Sequence, residues 1–115
     1  MRSKYFCSDE KIALCTEVAR REGQILSGLD AGRGYSLYVG IPFCPTTCAY
    51  CSFTSYPLSR WAGEVDAYLD ALEKEIRFVG RAVTQRLDTI YMGGGTPTTL
   101  SPQQMDRLLG MLEDN

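Results

Sequence analysis

Cys44-Pro45-Thr46-Thr47-Cys48-Ala49-Tyr50-Cys51 follows, after Pro42 and Phe43, the strand-like run Tyr35-Ser36-Leu37-Tyr38-Val39-Gly40-Ile41, and the reading of this stretch governs the rest of the chain. A Cys-x3-Cys-x2-Cys spacing on a loop aims three thiols at one point. Iron in a cubane cluster is held by thiolates, so three ligands from one tight loop suit a cluster whose fourth iron lacks a protein ligand. An open position is what separates a catalytic metal centre from a closed structural one, and a small chelating molecule can take it. The sequence contains no histidine, which excludes a mixed Cys/His zinc site. A four-cysteine zinc site would have to recruit Cys7 or Cys15 from a distant segment, and paired Cys-x2-Cys halves are missing. Zinc in a structural module stays as the alternative. Three small buried hydrophobes are a further reading, but three cysteines within eight residues broken by proline and threonines fit it poorly.

A second segment supports the cluster. Arg86-Leu87-Asp88-Thr89-Ile90-Tyr91-Met92 has the alternation of a buried strand and runs into Gly93-Gly94-Gly95-Thr96-Pro97-Thr98-Thr99. Three glycines remove every side chain where a ligand would meet backbone N–H and C=O groups, and they allow positive φ. A glycine triplet alone is also what an ordinary turn uses. Between a strand and a helix, it reads as a cradle for a small molecule, since ligands of open parallel α/β sheets sit at the carboxyl ends of the strands. A side chain at Gly94 is expected to intrude on the bound molecule.

These residues together resemble a family. The cysteine loop with Tyr50 before its last cysteine, the preceding Leu37-Tyr38-Val39-Gly40-Ile41-Pro42-Phe43 and the later Gly93-Gly94-Gly95-Thr96-Pro97-Thr98 look like the radical S-adenosylmethionine superfamily. Within it they resemble the oxygen-independent coproporphyrinogen III oxidases (dehydrogenases) from about Tyr35 onward. The resemblance implies that Cys44, Cys48 and Cys51 hold a four-iron four-sulfur (4Fe-4S) cluster whose open iron is chelated by S-adenosyl-L-methionine. It places Tyr38 beside that molecule, Tyr50 near its adenosine, and Gly94, Gly95 and Thr96 against its amino-acid and ribosyl parts. Read simply as residues, Tyr38 is equally a strand residue facing a helix and Tyr50 an apolar cap on the loop. No residue is singled out as catalytic.

The implied chemistry is reductive cleavage of S-adenosylmethionine, then hydrogen abstraction from a propionate that loses carbon dioxide to become vinyl. Two such events convert coproporphyrinogen III to protoporphyrinogen IX, with a tetrapyrrole substrate and an electron donor such as flavodoxin or ferredoxin as partners. Two departures from the pattern matter. Phe53 stands where the coproporphyrinogen enzymes carry a fourth cysteine, a feature shared with haem-chaperone relatives, which are a second alternative. Gly40 replaces the histidine before Ile-Pro-Phe-Cys, and this looks more like the coproporphyrinogen dehydrogenase branch of anaerobic and sporulating bacteria.

The fold expected is α/β, the first strand–helix units of a partial (β/α)6 TIM-like barrel preceded by a helix. A full eight-unit barrel takes roughly 250 residues, about thirty per unit, so the residues that follow the N-terminal extension, 35–115, have room for about two complete units. The helix of the first unit is expected from about Gly63 to Gly80, with Val65, Tyr68, Leu69, Leu72, Ile76 and Val79 on one core-facing stripe. Trp61, at its approach, reads as a packing anchor. The second strand is expected at Leu87 to Met92. The second helix opens on Ser101 as N-cap, Pro102 at the first position and Gln104 as the capping-box return, then presents Met105, Leu108, Leu109 and Leu112. Residues 1–34 read as a helical extension, capped by Ser8 and carrying Ile12, Cys15, Val18, Ala19, Ile25 and Leu26 on one side, followed by a glycine-rich linker from Gly28 to Gly34. Residues 35–115 read as an incomplete core.

Composition excludes several classes. The formal net charge is −2 without a Lys/Arg cluster, so no nucleic-acid footprint is present. No apolar run reaches membrane-spanning length, and Met1 to Phe6 is not followed by a signal-peptide core. Five cysteines, an odd number dominated by one triplet, favour metal in a reducing compartment over disulfides. The cytoplasm is the expected location.

Overall fold

The computed structural model describes residues 2–29 and 33–115. They form two compact units, Met1–Gly34 and Tyr35–Asn115. The first holds a short helix α1 (Arg2–Tyr5) and a long helix α2 (Asp9–Ser27). Ser8 caps α2 by accepting from the Lys11 N–H at 3.2 Å, and Asp9 and Glu10 in the first turn complement the helix dipole. No side chain of α2 is buried, so the apolar side expected there remains solvated. Residues 30–32 of the expected linker lie outside the described residues.

The second unit is built on strands β1 (Gly34–Ile41) and β4 (Arg86–Gly94), which neighbour each other in one sheet. They run parallel. The Thr89 hydroxyl donates to the Ser36 hydroxyl at 2.8 Å near their starts, and the Gly95 N–H donates to the Ile41 carbonyl at 2.8 Å just past their ends. Between them come two-residue strands β2 (Phe43–Cys44) and β3 (Tyr56–Pro57), a short helix α3 (Leu58–Trp61), a 3-10 turn (Ala62–Glu64) and helix α4 (Val65–Ala82). A second 3-10 turn (Pro97–Thr99) and helix α5 (Pro102–Glu113) follow β4.

Period-2 alternation gives the sheet two faces. On one face Val39 and Ile41, continued by Phe43, are buried against helices with Leu37 packed beside them. The other face carries Ser36, Tyr38 and Gly40 beside Thr89, Tyr91 and Gly93. Helix α4 buries Val65, Leu69, Leu72 and Ile76, steps of four, three and four that keep one stripe on the sheet. Tyr68, half-buried, does more than pack: its hydroxyl donates to the Gly40 carbonyl at 2.6 Å and ties α4 to β1. Burial, with a smaller push from Glu75, raises its pKa above the ordinary tyrosine value. That hydrogen bond is therefore fully present below the unfolded pKa and is lost only as pH rises through the raised one. In the full-length protein Tyr68→Phe should cost about 1 kcal/mol in denaturant unfolding; an unchanged midpoint would show the bond contributes nothing.

Three expectations change in detail. The first-unit helix begins at Val65, because α3 and the 3-10 turn occupy the residues before it. In α5 the buried pair is Leu108 and Met111, while Leu109 is exposed: a step of one turns a side chain about 100° off the seam with α4. Strand β4 forms but buries none of its residues, since β1 pairs with one edge only and no described strand covers the other. The α5 capping box is present, with Ser101 and Gln104 each accepting the other's backbone N–H. Arg107 reaches across to Asp70 and Glu73, which hold its guanidinium charged more firmly than usual. No described helix is long and apolar enough to cross a membrane.

Candidate functional site

The cysteine loop is closed at its base by the two-residue parallel bridge of β2 and β3, which pairs Phe43 with Tyr56 and Cys44 with Pro57. The Tyr56 N–H adds a bond to the Pro42 carbonyl at 2.8 Å. This clamp was not legible in the sequence, because a two-residue strand carries no periodicity. Inside it, the Cys51 N–H turns back to the Cys48 carbonyl at 3.1 Å, so the last two cysteines share one turn. Trp61 is edge-on to Tyr56 at 5.2 Å, and with Phe43, Tyr68 and Glu64 it lines a cleft of about 470 Å³ behind the loop. It is a packing residue that stays partly open to solvent.

The glycine loop is locked onto this structure. The Gly95 N–H donates to Ile41, the Thr96 N–H donates to the Phe43 carbonyl at 2.8 Å, and the Thr96 hydroxyl reaches the Cys44 sulfur at 3.7 Å. The two segments that the sequence singles out thus meet at the carboxyl ends of two parallel strands, where α/β sheets hold ligands. Close approach explains the glycines. Gly94 has φ +104°, a left-handed conformation, and a Cβ there would lie 2.9 Å from the Ile41 carbonyl oxygen. A Cβ on Gly95 would lie 2.6 Å from the Phe43 carbonyl oxygen and 2.7 Å from the Cys44 sulfur. A side chain at Gly94 therefore meets strand β1 as well as a left-handed φ, so a substitution there strains the backbone in addition to any effect on a bound molecule.

All five cysteines are free. Cys44 is partly buried under Thr96 and Gly95, and Cys48 and Cys51 are exposed. Among the described residues no three cysteine or carboxylate side chains are drawn together as a metal-holding group. The donor set nonetheless fits an iron–sulfur cluster. Three unpaired thiols stand on one clamped loop, and the missing Cβ of Gly95 leaves the Cys44 sulfur clear. Cys7 and Cys15 lie in the other unit, Cys7 against the Tyr5 carbonyl and Cys15 exposed on α2. Tyr50 is 91% exposed, too open to act as an apolar cap on the loop, and Phe53 is exposed as well. Tyr38 faces away from the helices, 60% exposed, and stacks on Tyr91 at 5.7 Å with 27° between the rings. In sequence Tyr91 is only a strand residue and Gly93 only one member of the glycine triplet. Alternation along β4 puts them on one face, but only the register with β1 brings them to Tyr38.

The family model of the Radical SAM superfamily matches residues 38–113, more than half of the chain. The chain is 38% identical over 112 residues to the oxygen-independent coproporphyrinogen-III oxidase-like protein HemZ of Bacillus subtilis, covering 94% of this chain and 22% of that protein. It is 44% identical over 78 residues to the heme chaperone HemW of Bacillus subtilis, covering 67% and 20%. The solved structure of coproporphyrinogen III oxidase (HemN) from Escherichia coli, a radical SAM enzyme, superposes with a TM-score of 0.66 at 40% identity, over 72% of this chain and 19% of that one. The chain spans about a fifth of the length of these relatives. With a matching family model, a shared barrel-type α/β fold and the cysteine and glycine loops brought together, the chain belongs to the radical SAM superfamily, among the relatives of the oxygen-independent coproporphyrinogen III oxidases.

Proposed function

We propose that the protein is a radical S-adenosylmethionine oxidoreductase of porphyrin metabolism that converts coproporphyrinogen III to protoporphyrinogen IX. The observation that carries this reading is the junction of the two loops, with Thr96 bonded to both Phe43 and the Cys44 sulfur. Cys44, Cys48 and Cys51 would hold the cluster, and Gly94, Gly95 and Thr96 would present backbone to S-adenosylmethionine. Tyr38, on the open face of the sheet, would lie beside it and Tyr50 near its adenosine. When bound, this pair of cofactors supplies one-electron reduction and hydrogen abstraction, chemistry that no side chain here performs. The residues supply position: the β2–β3 clamp fixes the loop, and Tyr68 fixes β1 beneath it. Overall each propionate gives up carbon dioxide, one proton and two electrons, with an electron carrier of the flavodoxin or ferredoxin kind as redox partner. The reducing cytoplasm suits the free thiols.

The HemZ alignment supports an oxidase-like branch, because 94% coverage must include the N-terminal unit as well as the barrel segment. The heme chaperone HemW supports a second reading, transfer of intact haem, and Phe53 in place of a fourth cysteine is compatible with it. The deciding assay gives the reconstituted full-length protein S-adenosylmethionine, reductant and coproporphyrinogen III under anaerobic conditions. Loss of two carboxyl groups from the tetrapyrrole, followed by mass spectrometry, is expected. Stable haem binding and haem transfer with no vinyl product would overturn the oxidase reading.

A further inference from the structure

The three glycines face three different obstacles, and the first of them points to a function the loop reading leaves out. At Gly94 and Gly95 the nearest obstacle to a side chain is backbone, of Ile41 and Phe43. At Gly93 it is the far ends of two side chains: a Cβ there would lie 2.7 Å from the Tyr38 hydroxyl oxygen and 2.8 Å from a ring carbon of Tyr91. Gly40, opposite on β1, leaves the Tyr38 ring in ordinary contact, with a Cβ position 3.6 Å from it. Tyr38 therefore lies over a floor of two glycines, with its hydroxyl above Gly93, at the strand end where the glycine loop begins. Tyr91 stacks along its ring. Both rings are exposed on the sheet face opposite the buried core, 60% and 67%, and among the described residues neither belongs to that core cluster.

We propose that Gly93 and Tyr91 are positioning residues for Tyr38: the bare Gly93 admits the Tyr38 hydroxyl to the mouth of the glycine loop, and the Tyr91 ring keeps it there. The proposal rests on the reading above, in which Tyr38 touches S-adenosylmethionine. A stacked tyrosine that loses its partner regains rotamers, and the hydroxyl is then presented for only part of the time. Adding one methyl group at Gly93 has the same result by contact, because Tyr38 can swing aside while the strand stays in place. The fold is expected to tolerate this change, in contrast to Gly94→Ala, which meets backbone and a left-handed φ.

The test uses the full-length protein with its cluster reconstituted, and titrates S-adenosylmethionine by calorimetry. Gly93→Ala and Tyr91→Leu should each weaken binding about fivefold, the size of a lost aromatic pair, with iron content unchanged and cooperative melting retained. Tyr91→Phe should restore affinity, since the ring and not its hydroxyl makes the stack. In a Tyr38→Ala background neither change should weaken binding further, which a merely structural effect would not reproduce. Unchanged affinity in both variants, or losses that add to that of Tyr38→Ala, would overturn the proposal while leaving the cofactor reading intact. A parent protein that carries its full iron and binds no S-adenosylmethionine would overturn the cofactor reading, and the proposal with it. If Gly93→Ala does not fold, Tyr91→Leu against Tyr91→Phe decides alone.

Discussion

Full-length protein carrying Cys48→Ala is expected to remain colourless after anaerobic reconstitution with iron and sulfide, where the parent turns brown and binds about four irons per chain. Cys48 shares its turn with Cys51, and beyond these two cysteines residues 45–55 contain no histidine, carboxylate or further thiol. A lost thiolate therefore has no local substitute. Cys7→Ala and Cys15→Ala should keep the full colour, because neither belongs to the Cys-x3-Cys-x2-Cys triplet. Gly95→Ala should lower the iron content without touching a ligand, since its methyl group would press on the Cys44 sulfur and the Phe43 carbonyl. Iron lost equally on Cys15→Ala would mean that the ligand set is wrong. A colourless parent protein that binds one zinc would favour a structural module.

The second large effect concerns residues 1–115 expressed alone. This chain should be poorly soluble or molten, with no cooperative melting transition and no cleavage of S-adenosylmethionine by dithionite. Strand β4 has one paired edge, and Ile90 and Tyr91 on it are 42% and 67% exposed. An unpaired apolar edge is a template for aggregation. The opposite sheet face leaves Tyr38 and Tyr91 in water, and α2 adds exposed Leu14, Ile25 and Leu26. The relatives continue for about four fifths of their length outside the matched region, and a further strand paired to β4 would close its open edge. A longer chain supplying them should restore solubility and cleavage together. A monomeric 115-residue protein that melts cooperatively and cleaves the cofactor would refute this account.

Much of the architecture is written in local pattern. The stripe of Val65, Leu69, Leu72 and Ile76, the Ser101–Gln104 box and the Ser8 cap each depend on residues within a few positions of one another, and each forms where it is expected. The same holds for the cysteine spacing and the glycine triplet, which are chemical statements before they are structural ones. What lay beyond local pattern is everything that needs two distant segments in register. The β2–β3 clamp joins Phe43 to Tyr56, and Tyr68 finds the Gly40 carbonyl 28 residues away. The choice of Leu108 and Met111 over Leu109 follows from how α5 sits on α4, not from hydrophobicity, which the three share. The glycines show the division most clearly. In sequence Gly93, Gly94 and Gly95 are identical; parallel pairing of β1 with β4 sets one against a tyrosine hydroxyl, one against the Ile41 backbone and one against a cysteine sulfur. A missing Cβ has meaning only through the atoms that would otherwise collide with it, and the fold alone brings those atoms there.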